Sequence, residues 1–180
     1  MAQTPNLLRL LNDPPRRADR RSIGAANAVA ALVLKHPRLA GQLVRAMWDA
    51  DAVVRMRAAD ALEKASLQEP KLIARYKSEI LGLLAEATQQ ELRWHLALML
   101  PRLPLTPAEC ERAAAGLRCY LSDRSSIVKT CALQGLAELA EQQDSLRADV
   151  LDLLRTAART GTAAMRARSR NLLKKLEWKA

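Results

Sequence analysis

The chain has no phenylalanine, and its aromatic residues amount to three Trp and two Tyr in 180 residues. A sheet core is hard to build from such a set, because strands favour aromatic and β-branched side chains. Glycine and proline are also few, at six and eight, and most of them fall between stretches of helical character. The three cysteines, Cys110, Cys119 and Cys131, form no C-x-x-C pair and leave one unpaired in any scheme. A disulfide scaffold is therefore excluded, and buried, reduced thiols in a cytoplasmic protein are expected. No run approaches the roughly 18 uncharged apolar residues of a membrane span. The opening MAQTPNLLRLLNDPP lacks a basic lead and a small-residue cleavage site, so no secretory leader is expected. What is abundant is Ala and Leu, the leaders of the helix scale. An all-α fold follows.

A ten-residue phrase recurs at nearly constant spacing: VVRMRAADAL at 53–62, ELRWHLALML at 91–100, IVKTCALQGL at 127–136 and AMRARSRNLL at 164–173. Its cationic third residue is Arg55, Arg93, Lys129 and Arg166, at intervals of 38, 36 and 37. Such a period marks stacked units, each unable to bury its apolar face alone. Within each phrase the apolar residues fall at i, i+4, i+7, i+8 and i+11. The first copy gives Val54, Ala58, Ala61, Leu62 and Ala65; the second gives Leu92, Leu96, Met99, Leu100 and Leu103. The third and fourth keep the register with Val128, Ala132, Gly135, Leu136 and Leu139, then Met165, Ser169, Leu172, Leu173 and Leu176. Each set is one stripe at about 100° per residue.

Second amphipathic segments lie between the phrases, at about 71–86, 107–121 and 145–159. Thr106-Pro107-Ala108-Glu109 carries a capping hydroxyl, a first-turn proline and a reciprocal acid. Thr88 and Glu91 repeat the capping-box spacing, and Pro70 and Asp144-Ser145 mark two further helix entries. The chain reads as one repeat domain, 1–180: a degenerate cap at 1–37, regular helix pairs at 38–160 and a closing helix at 161–180.

Charge is unevenly placed. Residues 1–45 carry eight Lys/Arg against two acids, residues 46–158 fourteen against sixteen, and residues 159–180 seven against one. The net charge of +10 thus resides at the two ends. A duplex-binding groove spreads cations along its length, so the distribution disfavours that class.

The stretch DADAVVRMRAADAL at 49–62 resembles the HEAT repeat, in particular the bacterial phycobilisome-lyase type. Asp49 stands six residues before Arg55, and Asp123 six before Lys129. The resemblance covers about 40–178 and implies a right-handed α-solenoid of about four to five helix pairs. It also implies that Asp49, Arg55, Asp123 and Lys129 are structural, the Asp lying in the turn inside a repeat and helping to ladder one unit to the next. Position 87 is Ala and position 160 is Thr, so the ladder is expected to be incomplete. HEAT-like repeats present the second helix of each pair on a concave, partner-binding side.

Positions two, six and nine beyond the first stripe residue point furthest from the core. They are Met56, Asp60 and Glu63; Trp94, Leu98 and Pro101; Thr130, Gln134 and Ala137; then Ala167, Asn171 and Lys174. Trp94 and Leu98 are large apolar groups one turn apart, the composition of an interface anchor. The same two residues would be ordinary core if a neighbouring helix covered them. With Met56 and Thr130 they form the expected centre of a protein-binding surface, rimmed by Arg57, His95 and Arg168. Arg166, Arg168, Arg170, Lys174, Lys175 and Lys179 cover the last helix outside its stripe. They are candidates for anion binding, to an acidic protein, a nucleic acid or an anionic membrane surface, or else a solvated cap. The run Arg16, Arg17, Arg20 and Arg21 has the same two readings.

Catalysis finds little footing. His36 and His95 are the two histidines, neither with ligand-spaced partners, and no phosphate loop, nucleophile elbow or zinc motif is present. No metal, cofactor or small-molecule substrate is implied. HEAT-like alkylpurine DNA glycosylases combine an aromatic with a catalytic Asp one turn away. Here the residue one turn after Trp94 is Leu98, while Asp60 follows Met56. The expectation is a non-enzymatic interaction module for a protein partner, with nucleic-acid binding through the basic ends as the alternative.

Overall fold

The computed structural model describes residues 6–12 and 22–178. Among them are eleven α-helices and no strand, which makes the fold all-α. The chain divides into two compact units, one ending at Ile80 and the other beginning at Leu81.

The first unit contains α1 (Leu7–Leu11), α2 (Ala26–Lys35), α3 (Ala40–Ala46), α4 (Ala52–Gln68) and α5 (Lys71–Ala74). It ends within α6 (Lys77–Glu86). The first phrase forms α4, capped by Asp51, whose carboxylate accepts from the Val53 amide at 2.9 Å. The predicted stripe, Val54, Ala58, Ala61, Leu62 and Ala65, is buried throughout. Helices α1, α2 and α3 all pack on α4. Leu7 and Leu11, one turn apart, anchor α1 with no exposed surface. Burial of each such leucine contributes about 1.5–3 kcal/mol.

The second unit contains α7 (Gln90–Met99), α8 (Pro107–Tyr120), α9 (Ser126–Ala140), α10 (Arg147–Thr160) and α11 (Ala163–Trp178). Three of these, α7, α9 and α11, come from the repeated phrase and lie side by side, α9 packing against both others. Helix α8 packs on α9, and α10 on α9 and α11, so the intervening segments make a second layer. The stripe positions of α7 and α9 and of the turn following α7 are buried; in α11, Ser169, Leu172 and Leu176 are buried and Met165 and Leu173 partly so. Gly135 explains the closeness of α7 and α9: a Cβ there would collide with the Ala97 carbonyl oxygen. Any side chain would force the two helices apart.

The Thr106–Glu109 capping box forms as expected, with Thr106 Oγ1 accepting from the Glu109 amide and Glu109 accepting from the Thr106 amide at 2.8 Å. The Thr88–Glu91 box does not. Helix α7 starts at Gln90 with Gln89 as its cap residue, one position beyond where Thr88 could serve. Cys110 is buried and Cys131 half-buried, but Cys119 is exposed, against the expectation that all three lie inside. Among the described residues no helix is long and apolar enough to cross a membrane.

Candidate functional site

The outward positions of α4 meet a different fate from those of α7 and α9. Met56 is 2% exposed, and so is Arg57, although both were expected at a partner-facing surface. Arg57 is enclosed because the chain returns over it. Its Nε donates to the Ser22 carbonyl at 3.0 Å and its NH1 donates to the Leu11 carbonyl at 2.7 Å. Gly24, in the left-handed region at φ 49°, lies so close that a Cβ would sit 2.6 Å from the guanidinium carbon. The guanidinium therefore ties the end of α1 and the entry to α2 onto α4. Asp60 is also buried and pairs with Lys64 at 2.7 Å, and Lys64 in turn reaches Asn27 of α2. Met56 and Arg57 thus belong to the interior of the first unit rather than to a binding surface.

In the second unit the equivalent face stays partly open. Trp94 and Leu98 on α7 are half-buried, as are Thr130 and Gln134 on α9. His95 is 7% exposed, deeper than the rim position expected, and meets the Trp94 ring edge-on with centroids 5.7 Å apart. Thr130 turns its hydroxyl back to the Ser126 carbonyl at 2.7 Å, so its donor is engaged within α9. Arg168 on α11 donates to the Gln134 side chain at 2.7 Å, a neutral amide, and has no acidic partner among the described residues. Trp94, Leu98, Gln134 and Arg168 therefore sit on three adjacent helices of one layer.

The expected structural residues behave unequally. Asp49 accepts from the Asp51 amide at 2.8 Å, and Arg55 donates to the Asp49 backbone carbonyl at 2.7 Å. Arg93 does the same one copy on, to the Ala87 carbonyl at 2.7 Å, and Arg166 to the Gly161 carbonyl at 2.8 Å. Asp123 contacts the copy before it. It accepts from Arg93 NH1 at 2.6 Å and from the Ser125 amide at 2.7 Å. Burial pushes its carboxyl up, but the Ser125 amide and the Arg93 guanidinium outweigh that and hold it below the usual aspartate range. The same guanidinium lies 5.1 Å from the Tyr120 ring centre. Tyr120 donates to the Leu84 carbonyl at 2.9 Å, and burial pushes its phenol well above the ordinary value. Arg93 was not singled out as a ladder residue from the sequence. Lys129 was, yet its ammonium has no hydrogen bond or ion pair among the described residues.

Of the terminal cations, Lys175 pairs with Glu141 at 2.6 Å, whereas Arg170 and Lys174 are exposed and unpaired among the described residues. Lys179 and the Arg16, Arg17, Arg20 and Arg21 run lie outside the described residues. No group of three or more His, Cys, Asp or Glu among the described residues is placed to hold a metal ion.

No protein-family model and no curated protein matches the chain. Among solved structures, the chain is similar to the crystal structure of an engineered protein from the Northeast Structural Genomics Consortium. The TM-score is 0.63 at 18% identity, over 96% of this chain and 78% of that one. At that identity the likeness shows the fold, an all-α arrangement, and nothing of activity.

Proposed function

We propose that the chain is a HEAT-like α-solenoid that acts without catalysis, as a binding module for an acidic protein partner. The observation that carries this reading is the incomplete burial of Trp94 and Leu98 on α7, a helix whose stripe residues are sealed. A tryptophan that retains solvent contact beside a leucine offers apolar area to a partner at low entropic cost. Arg168, bonded to an amide rather than an acid, supplies positive charge at the edge of the same layer. Charge at a rim orients an incoming acidic surface and speeds its arrival more than it adds affinity.

The test is a photo-crosslinking residue placed at Leu98, followed by affinity measurement with the captured protein. Trp94→Ala should lower that affinity about tenfold or more while helicity is retained. Unchanged affinity in that variant would remove this surface from the reading. A second reading, nucleic-acid binding through α11, rests on Arg170 and Lys174, which are exposed and unpaired among the described residues. Mobility-shift titration across salt separates the two, since phosphate-driven binding falls steeply as salt rises.

A further inference from the structure

We propose that the cleft where α10 turns into α11 binds a small apolar monocarboxylate, which takes the place of an aspartate side chain present one copy earlier in the stack. The inference does not depend on the interaction-module reading. It starts from the Arg93–Asp123 contact, which joins the cation of one phrase to an acid 30 residues further on. The corresponding positions in the next copy are Lys129 and Thr160. The cation is kept, and the acid is replaced by a residue that cannot neutralise it.

Lys129 and Thr160 line the same cleft, of about 280 Å³. Its remaining walls are chiefly aliphatic, with Leu133 from α9, Leu153 and Ala157 from α10 and Met165 from α11. Thr156 lines it as well, and its hydroxyl has no partner among the described residues. The Thr160 hydroxyl donates to the Thr156 carbonyl at 3.0 Å and so is already engaged. The cleft is thus bordered by one half-buried lysine, one hydroxyl without a partner among the described residues, and an aliphatic wall.

That set selects a ligand by elimination. A lysine at the cleft with no acid paired to it among the described residues favours an anionic ligand, and the apolar wall beside it strengthens such a pairing by excluding water. A single cation matches a monoanion, whereas phosphate sites assemble several donors. The aliphatic wall rewards a hydrocarbon body attached to the charged head. The volume lies at the lower edge of small-molecule pockets, which run from about 300 Å³ upward. It suits one amino-acid side chain or a short alkyl chain. Two sources share this chemistry: a free short-chain fatty acid, and the last residue of a peptide ending in an aliphatic side chain.

The experiment is amide-resolved NMR titration of the full chain. The probes are hexanoate, its neutral counterpart hexanamide, acetyl-Ala-Leu with a free C-terminus, and the amide of that dipeptide. Hexanoate or the peptide acid should saturate in about the millimolar range, as suits a ligand of so few atoms. Shifts should centre on Lys129 and residues 156–162, and the neutral counterparts should bind about tenfold more weakly or not at all. The tighter of the two acids names the source. Thr160→Asp would supply the missing acid from within, so it should raise the melting temperature and abolish binding of both acids. Lys129→Met, which keeps the aliphatic stem, should erase the preference for acids over amides. Equal binding of hexanoate and hexanamide would overturn the proposal, as would full binding in the Thr160→Asp protein.

Discussion

Helices α4 and α7 arise from the same phrase in the same register, yet their outer faces end in opposite environments. On α4 the outward residues Met56 and Asp60, with their neighbour Arg57, are buried, because α1 and α2 pack against that helix. On α7 the equivalent Trp94 and Leu98 keep part of their surface open. The period of a helix decides which side chains leave the core stripe. It does not decide whether they reach solvent, because that depends on chain arriving from elsewhere. The proposed partner surface is therefore placed where no such return is seen among the described residues, on the α7, α9 and α11 layer of the second unit.

The sharpest way to break the contrast is at Arg57. Arg57→Ala removes both donors from the Leu11 and Ser22 carbonyls and leaves a cavity, which should cost about 3 kcal/mol. Urea unfolding would measure the loss, and limited proteolysis should show earlier cleavage near α1. Trp94→Ala, in the equivalent layer of the second unit, should cost only about 1–2 kcal/mol, since part of the ring is already in water. Equal losses for the two variants would mean that the faces are not different in kind.

Asp123→Asn tests the contact that joins two copies within the second unit, at an expected cost of about 2 kcal/mol near neutral pH. The sign with pH follows from the depressed carboxyl. Its stabilisation is complete above the ordinary aspartate range and is lost as pH falls through the lower folded value. The gap between wild type and variant should therefore close in strong acid, as read from melting temperatures over a pH series. The smallest effect is expected at Ser169, whose buried hydroxyl has no hydrogen-bond partner among the described residues. Ser169→Ala should stabilise by about 0.5–1 kcal/mol, through removal of that unpaired group and better helix propensity. A fall in melting temperature would show that the hydroxyl is satisfied in solution.

Much of this was legible in the residues themselves. The four stripes, the helix pairs and the Thr106 capping box are local patterns, and local patterns survive into the fold. Arg57 was not legible, because its partners lie 35 and 46 residues away and come from an irregular stretch with no repeat to align. Arg93 was missed for a related reason: a spacing of six within one copy drew attention to Asp123 and Lys129, whereas the acid pairs with the cation of the copy before. The half-burial of Trp94 needed the packing of whole helices before it could be judged.

The arginines that fold back onto carbonyls five or six residues earlier bear on how the molecule comes together. Arg55, Arg93 and Arg166 each close a short loop within their own turn, at little entropic expense. Three of the four turns can thus be pinned early, before their helices find a neighbour, in the manner of rapid folding from near contacts. The turn preceding α9 lacks that fastening, since its cation is Lys129. It relies on Arg93, donated from the copy before it, so that segment should be the last of the four to gain protection against hydrogen exchange.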